Sequence, residues 1–328
     1  MKKVCCFGEL LLRFAPNNEW TGNNNMPVFI GGAELNVASA LTKWNMHVKY
    51  ITVLPDNYLS NQLLDDVKKR NITVDDVLLK GNRIGTYYLP FGSELKNAGV
   101  IYDRANSSIS ELKPGIINWQ NVFAGCNWFH FSAISPALNE SVATVCKEAL
   151  EAATAMGLTI SIDLNYRSKL WQYGKQPIDV MPELVKYCHV IMGNVWAVES
   201  LLGILSPVKS SEGKTKKQLV VAANESMKQL KNQYPRASTI TYTFRLENSY
   251  WAVLQNKNEK VISNEYEISE VVDKVGSGDC FMAAIIYGLY KKHTAKEIVD
   301  FAAAAAVGKL NECGDATKQT VEDIKKIK

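Results

Sequence analysis

The sequence predicts an α/β protein in which helices cover both faces of a mainly parallel central sheet. After Ser132, helix-length segments alternate regularly with short apolar strands, and this pattern is typical of parallel strands joined by helices. The N-terminal third does not follow the alternation and contains short strands with polar and aromatic residues. We therefore expect a single domain over residues 1–328 with a small second sheet.

The N-terminal third is predicted to begin with a short buried strand, Val4–Gly8. Gly31 and Gly32 then open a helix whose apolar residues recur at helical spacing, Ala33–Trp44. A second helix is predicted at Leu59–Arg70. The other strands predicted in this part are Leu10–Phe14, Val28–Ile30, Val48–Val53, Ile84–Leu89 and Gly99–Tyr102.

The remaining sequence alternates between the two kinds of element. Its predicted helices are Asn139–Met156, Val195–Leu202, Leu219–Gln233, Cys280–Lys291 and Ala295–Leu310. Its predicted strands are Thr159–Asp163, Val190–Met192, Ser238–Phe244 and Tyr250–Leu254. The Ser- and Lys-rich segment Leu205–Lys217 is predicted to be an exposed loop.

Composition argues against several classes of function. The formal charge of +4 is small for 328 residues, so nucleic acid is not a favoured partner. No apolar run approaches the ~20 residues of a membrane span, and the apolar stretch that ends at Gly8 is too short for a signal peptide. Seven cysteines without a C-x-x-C pair and only four histidines indicate a reduced, cytoplasmic protein without structural zinc.

The most informative segment is Asp273–Asp279, because an apolar run of helical length follows it. Gly276 and Gly278 let backbone N–H groups approach an anion, since no Cβ blocks the way. A helix N-terminus also favours negative charge through its unpaired N–H groups and its dipole. Asp279 stands at the same end as a carboxylate that can accept a proton from a hydroxyl. The segment predicts a phosphoryl-transfer site, and the simpler alternative is a loop with a helix-capping Asp.

Two segments resemble motifs of the ribokinase-like (PfkB) carbohydrate kinases. Gly31–Ala38 resembles the sugar-binding Gly-Gly…Asn segment of that family, and Asp273–Asp279 resembles its Asp-Thr-x-Gly-Ala-Gly-Asp signature, with Lys274 and Ser277 in place of Thr and Ala. Both lie in the expected order near the two ends of the chain. The resemblance implies the ribokinase-like fold and a reaction that uses ATP and Mg²⁺.

Within this family the chain is most similar to the 2-keto-3-deoxygluconate kinases. The segments that carry this likeness are Asp163–Trp171, His130–Leu138, Tyr102–Arg104 and Gly314–Asp315. The likeness implies phosphorylation of the terminal hydroxyl of a sugar acid. Planar guanidinium groups are the best partners for its carboxylate, and the candidates are Arg104 and Arg167. The alternative for each is a surface arginine in a salt bridge.

The resemblance also implies roles for the other site residues. Asp279 would be the catalytic base, with Gly276, Ser277 and Gly278 as the anion hole. The sugar would contact Gly32, Asn36, Tyr87, Tyr102 and Asp315. The nucleotide would contact Asn165, Asn194, Thr243 and Arg245, together with Gly276 and Gly278. No metal ligand is assigned. As structural alternatives, Asn36 is a plain helix polar residue, the tyrosines belong to the core, and Asp315 caps the C-terminal segment.

Two departures from the family pattern affect the nucleotide side. The family's Asn-x-x-Glu appears as Asn194–Ala197, so its Glu is absent and Glu199 falls two positions late. The usual Lys-x-Gly turn is replaced by Thr243–Arg245, where Arg245 could supply the missing charge. The nucleotide preference and a need for a monovalent cation stay open.

The sequence offers three alternatives to this function. The first is a kinase for another sugar, of the fructose or ribose type. The second is a non-catalytic sugar or nucleotide sensor, against which the intact Gly276–Asp279 segment argues. The third, a dinucleotide-binding oxidoreductase, is rejected because no G-x-G-x-x-G follows the first strand.

The early strands, in parts of residues 10–30 and 84–104, are expected to form a lid over the site. Closing such a lid expels water and completes a phosphoryl-transfer site. A sheet of this size is too small to be stable alone, and family members often pair such lids. We therefore expect a homodimer or a higher homo-oligomer that buries the apolar face of the lid.

Overall fold

The computed structural model describes residues 3–16, 25–90 and 99–327. Its strands, in chain order, are β1 Lys3–Phe7, β2 Leu11–Phe14, β3 Val28–Gly31, β4 Val48–Ile51, β5 Val53–Leu54, β6 Ile72–Thr73, β7 Leu78–Leu79, β8 Gly85–Tyr88, β9 Ile101–Asp103, β10 Cys126–Ser132, β11 Thr159–Asp163, β12 Val190–Gly193, β13 Thr239–Arg245, β14 Ser249–Gln255, β15 Lys260–Ile262 and β16 Tyr266–Glu267.

The helices are α1 Ala33–Lys43, α2 Tyr58–Lys69, α3 Trp119–Val122, α4 Glu140–Ala155, α5 Pro177–Val185, α6 Val195–Leu202, α7 Lys216–Gln233, α8 Ser277–Lys291, α9 Ala295–Leu310 and α10 Val321–Lys325. A short 3₁₀ turn covers Ser168–Leu170. No helix in the described ranges is long and apolar enough to cross a membrane.

The central sheet has ten strands in the order β15-β14-β13-β12-β11-β10-β1-β4-β6, with β16 also paired to β14. The strands from β13 to β6 are parallel, and the pairs that involve β14 are antiparallel. One apolar cluster joins this sheet to α3–α7, and a second cluster joins it to α1, α2 and α8–α10. The predicted mainly parallel sheet with helices on both faces is confirmed.

The predicted small separate sheet is also present, in the order β3-β2-β8-β9. Strand β2 pairs with β8 in parallel, which places Arg13 opposite Tyr87. The antiparallel pair β8–β9 places Tyr87 opposite Tyr102. The parts of the expected lid at residues 17–24 and 91–98 lie outside the described residues.

Two element boundaries differ from the prediction in ways that matter for the site. The single strand predicted at Val48–Val53 is divided into β4 and β5, because β5 leaves the main sheet and pairs with β7. Helix α8 begins at Ser277, three residues before the predicted Cys280. Asp279 therefore lies inside the first turn of α8.

Candidate active site

The turn before α8 has the geometry of an anion hole. Gly276 has a left-handed backbone with φ 83°, and a Cβ there would stand 2.0 Å from the carbonyl oxygen of Asp315. The front of the turn is open, since a Cβ at Gly278 would meet nothing within 4 Å. The first N–H groups of a helix have no partner inside the helix, so this end can bind an anion.

Ser277 takes part in the turn through its backbone. Its hydroxyl is buried and donates to the carbonyl oxygen of Ala306 at 2.9 Å. This bond fastens the start of α8 to α9, and it directs the hydroxyl away from the open face. The side chain thus fixes the turn, while the N–H groups face the site.

Asp279 is a buried carboxylate whose proton affinity is tuned by its surroundings. Burial raises its pKa to about 7, and the hydrogen bond from Asn36 and the charge of Arg167 oppose that rise. The Asn36 amide donates to Asp279 Oδ2 at 2.7 Å. A carboxylate with a pKa near neutrality is suited to exchange protons with a hydroxyl group at physiological pH.

A second buried carboxylate, Asp163, ends strand β11 within electrostatic reach of Asp279. Burial first, and then the negative charge of Asp279, raise the pKa of Asp163 to about 8. Arg167 lowers the pKa of both carboxylates, so its guanidinium lies within electrostatic reach of both. Arg167 itself is exposed and donates to the Tyr166 carbonyl oxygen at 3.2 Å.

On the opposite side, Asp315 belongs to a buried network that ties the small sheet to the anion hole. Tyr87 donates its hydroxyl to Asp315 Oδ2 at 2.8 Å, and Arg13 Nε lies 2.8 Å from Asp315 Oδ1. The guanidinium of Arg13 also pairs with both carboxylate oxygens of Asp273. Asp273 in turn accepts the N–H groups of Val275 and Gly314, at 3.1 and 3.2 Å.

Arg104 is buried and already has a carboxylate partner. Its Nε donates to Glu9 Oε2 at 2.6 Å, and both side chains are almost completely buried. Its Cζ lies 5.9 Å from the Tyr102 ring centroid. Tyr102 lies beside Tyr87, with 6.3 Å between the ring centroids. Of the two arginines predicted to hold a carboxylate, Arg167 is therefore the exposed one.

Gly32 allows the chain to pass close to Glu9 at the start of α1. It has φ 137°, and a Cβ there would stand 2.3 Å from the Glu9 carbonyl oxygen. Two residues later, Glu34 is buried and accepts from the N–H and hydroxyl of Ser132 at 3.0 and 2.5 Å. These contacts join α1 to the end of β10 and hold Asn36 against Asp279.

The nucleotide-side residues lie at the ends of β11, β12 and β13. Asn194 caps α6, since its Oδ1 accepts the N–H groups of Trp196 and Ala197 at 3.1 and 2.8 Å. Ala197 packs in the apolar core. Glu199 pairs with Lys209 at 3.1 Å, so its carboxylate already has a partner outside the site.

Three other nucleotide-side residues are less enclosed. Asn165 and Thr243 are half-buried, and Arg245 is exposed at the end of β13. The side chain is exposed, but the surrounding protein partly desolvates the guanidinium and lowers the pKa of Arg245, and the charge of Arg167 lowers it further. Arg245 and Arg167 therefore lie within electrostatic reach of each other.

In the described ranges, no cluster of three or more His, Cys, Asp or Glu side chains could hold a metal ion by itself. Mg²⁺ in phosphoryl-transfer sites is usually held by one or two carboxylates and the substrate phosphates. Asp163, a buried carboxylate within electrostatic reach of Asp279, suits a metal ion that arrives with a nucleotide.

The sequence analysis did not predict the buried ion pairs at the site that involve Glu9, Arg13 and Asp273. Each of them carries a charge inside an otherwise apolar stretch or next to a glycine motif. Arg13 gave the clearest signal, because it stands in a predicted strand between Leu12 and Phe14. A charged residue in a short buried strand indicates a partner of opposite charge.

Comparison with known proteins places the chain among sugar kinases. The model of the pfkB family carbohydrate kinases matches residues 1–320. The crystal structure of 2-dehydro-3-deoxygluconokinase from Thermotoga maritima is similar with a TM-score of 0.89 at 32% identity, over 99% of each chain.

Two further relatives extend this likeness. The 2-dehydro-3-deoxygalactonokinase of Haloferax volcanii is 24% identical over 336 residues, which cover 99% of this chain and 96% of the relative. A putative ribokinase II from E. coli, in complex with ATP and Mg²⁺, has a TM-score of 0.78 at 16% identity, over 99% of this chain and 98% of that one. The latter shares the fold.

Proposed function

Since the chain belongs to the pfkB family of carbohydrate kinases, we propose that it is a 2-dehydro-3-deoxygluconokinase. It would transfer a phosphoryl group from ATP to the terminal hydroxyl of 2-keto-3-deoxygluconate. The observation that carries this proposal is that the charge of an exposed arginine, Arg167, acts on the two buried carboxylates Asp279 and Asp163 near the anion hole. The Thermotoga enzyme of that name supports it, with 32% identity over 99% of each chain.

The proposed mechanism assigns proton removal to Asp279. Asn36 holds this carboxylate with a hydrogen bond of 2.7 Å, so one oxygen can face the sugar hydroxyl that attacks in line. The N–H groups of Gly276–Gly278 bind the negative charge that develops on the phosphoryl group. Asp163 would hold a Mg²⁺ ion that arrives with ATP, and this ion would supply further positive charge to the phosphates.

The sugar would bind between the small sheet and helix α1. Its carboxylate would meet Arg167 first, because Arg104 is already paired with Glu9. Arg104 would then complete the carboxylate site as a second, fixed guanidinium. The hydroxyls would meet Gly32, Asn36, Tyr87, Tyr102 and Asp315.

The nucleotide would bind across the ends of β11, β12 and β13. Arg245 is an exposed positive charge in this region and would bind a nucleotide phosphate. Asn165, Asn194 and Thr243 would supply polar contacts. Ala197 packs in the apolar core, so position 197 does not face the nucleotide. This supports the assignment of the phosphate contact to Arg245.

The small sheet would act as the lid and as a dimer surface. Ile101 and Val28 leave 60% and 49% of their surface exposed on its strands, and two lids that pack together would cover these apolar side chains. Light scattering over a dilution series tests the homodimer. A monomer that keeps full activity contradicts it.

One alternative substrate has specific support. The Haloferax relative acts on the galacto sugar acid, which differs from the gluco form in the orientation of one hydroxyl. Neutral sugars of the fructose or ribose type form the other alternative, and they carry no carboxylate for Arg167.

A coupled phosphorylation assay over a panel of sugars tests the proposed function. The panel contains 2-keto-3-deoxygluconate, 2-keto-3-deoxygalactonate, fructose and ribose, each with ATP and Mg²⁺. We expect the highest kcat/KM for the gluco sugar acid. A higher value for fructose or ribose would refute the assignment to a sugar acid, and a higher value for the galacto form would change the substrate within that class.

A further inference from the structure

A buried lysine that the mechanism does not use lies directly behind the anion hole. Lys309, in the last turn of α9, has 0% of its surface exposed. Its ammonium donates to the carbonyl oxygen of Glu312 at 3.1 Å. Removing a charged amine from water is costly unless nearby groups compensate the charge. The groups around Lys309 therefore have to stabilise its ammonium group.

Lys309 packs against the turn that would bind the phosphoryl group. Its Cε lies 3.2 Å from the position that a Cβ at Gly276 would occupy. The same turn rests on the end of α9, since the N–H of Asp273 donates to the Leu310 carbonyl oxygen at 3.1 Å. The hydroxyl of Ser277 adds its bond to Ala306. The anion hole is thus built on the last turn of α9.

Negative charge is concentrated behind this turn. Asp273 and Asp315 are both completely buried, and a single guanidinium, that of Arg13, pairs with both. The C-terminal end of α9 adds the negative end of a helix dipole. Two buried carboxylates and a helix C-terminus therefore concentrate negative charge behind the turn, and this charge would oppose an incoming phosphate.

Lys309 adds a buried positive charge to this region. Burial lowers its pKa, whereas the charges of Asp273, Glu312 and Asp315 raise it, so all three carboxylates lie within its electrostatic reach. Glu312 is only half-buried and accepts a hydrogen bond from Thr317 at 2.7 Å, so solvent screens it. The balance concerns mainly Asp273 and Asp315.

We propose that Lys309 is a positioning residue for phosphoryl transfer, which supports the Gly276–Gly278 turn and neutralises the buried carboxylates behind it. This inference rests on the proposed function, because it requires the anion hole to be at that turn. Fixed charges in a site that excludes water act more strongly than they would in solution. The ammonium group of Lys309 would thus be a fixed positive charge behind the turn that binds the phosphoryl group.

The test compares Lys309→Met, which keeps the length of the side chain and removes its charge, with Lys309→Arg. Lys309→Met should lower kcat by about tenfold or more, less than the 10²–10³ expected for loss of a direct donor. The KM for the sugar should change much less than kcat, since Lys309 acts on the proposed sugar site only through the charge of Asp315. Lys309→Arg should keep most of the turnover.

A double variant separates charge balance from packing. Lys309→Met combined with Asp273→Asn removes one charge of each sign, so the net charge behind the turn is the same as in the wild type. If charge is the cause, the double variant should regain much of the lost kcat. A packing role predicts instead that the two losses add. If Lys309→Met alone does not fold, the activity of the double variant is compared directly with that of the wild type. A double variant that is inactive or unfolded overturns the proposal.

Two further outcomes are decisive. A Lys309→Met enzyme with turnover within about twofold of wild type overturns the role of Lys309. The proposed function fails separately, if Asp279→Asn stays active. Loss of activity in Asp279→Asn with normal turnover in Lys309→Met would reject only the inference about Lys309.

Discussion

The proposed sugar side and the proposed nucleotide side of the site differ in how many of their polar groups already have partners inside the protein. On the sugar side, Asn36, Tyr87, Arg104 and Asp315 are buried and have hydrogen-bond or ion-pair partners. On the nucleotide side, Asn165 and Thr243 are half-buried and Arg245 is exposed.

This difference indicates that the protein builds the sugar side in advance. Groups that are fixed before the substrate arrives do not have to reorganise during the reaction. The exposed arginines, by contrast, acquire their partners when ligands bind. We therefore expect the largest catalytic effects from buried residues at the anion hole and smaller, ligand-specific effects from the exposed arginines.

The largest expected effect comes from Asp279→Asn. The amide keeps the size of the side chain and can still accept the hydrogen bond from Asn36, but it cannot take a proton. We expect kcat to fall by roughly two orders of magnitude or more, with little change in the KM of either substrate. Steady-state kinetics measures both. If Asp279 has only a structural role in the first turn of α8, the variant stays active, because Asn keeps the size of the side chain and its contact with Asn36.

The two arginines near the sugar carboxylate should behave differently. Arg167→Ala should weaken the use of sugar acids much more than that of neutral sugars, by about 2–5 kcal/mol for loss of a charged partner. The melting temperature should hardly change, because Arg167 is exposed. Kinetics with an acidic and a neutral sugar measures this selectivity. An equal loss for both sugars would contradict a carboxylate role.

Arg104→Ala serves as the matched variant for that comparison. It leaves Glu9 buried without its partner, and breaking such a pair typically destabilises a protein by about 3–5 kcal/mol. Chemical denaturation should therefore detect a large loss of stability in Arg104→Ala and almost none in Arg167→Ala. Similar stabilities of the two variants would contradict the distinction between Arg104, which has a buried partner, and Arg167, which is exposed.

Arg245→Ala tests the nucleotide side. A hydrogen bond to a charged group contributes about 1.5–3 kcal/mol, so the KM for ATP should rise while the KM for the sugar stays the same. Arg236→Ala is a suitable control, because Arg236 is an exposed arginine whose guanidinium donates to Thr154. If both variants have the same KM for ATP, Arg245 does not bind the nucleotide.

Much of this architecture could be predicted from the sequence, because it follows from local patterns. The strand–helix alternation after Ser132 and the Asp273–Asp279 motif depend on residues close together in the chain. The Arg13–Asp273 pair joins residues 260 positions apart, and the Glu9–Arg104 pair joins residues 95 positions apart. Sequence spacing carries no information on such contacts, so the partners of the predicted site residues had to come from the structure.

The smallest expected effect is the pH dependence of turnover. Asp279 must be ionised to act as a base, and burial raises its pKa to about 7. The rate should therefore fall as the pH is lowered through 7, by about tenfold for each further unit. Stability should change in the opposite direction: a carboxyl whose pKa is raised in the folded state stabilises the protein at low pH, and this contribution is lost as the pH rises through about 7.

Asn36→Ala sharpens this last prediction. The Asn36 amide donates to the ionised form of Asp279 and so lowers its pKa. Without it, the acidic limb of the rate profile should move to higher pH, although the neighbouring Asp163 makes the observed value a property of the pair. Profiles of kcat from pH 5.5 to 9, as an approximate working range, measure the shift. A wild-type rate that stays constant across pH 6–8 would contradict the assignment of the limb to Asp279, and an unmoved limb in Asn36→Ala would show that this hydrogen bond does not tune the base.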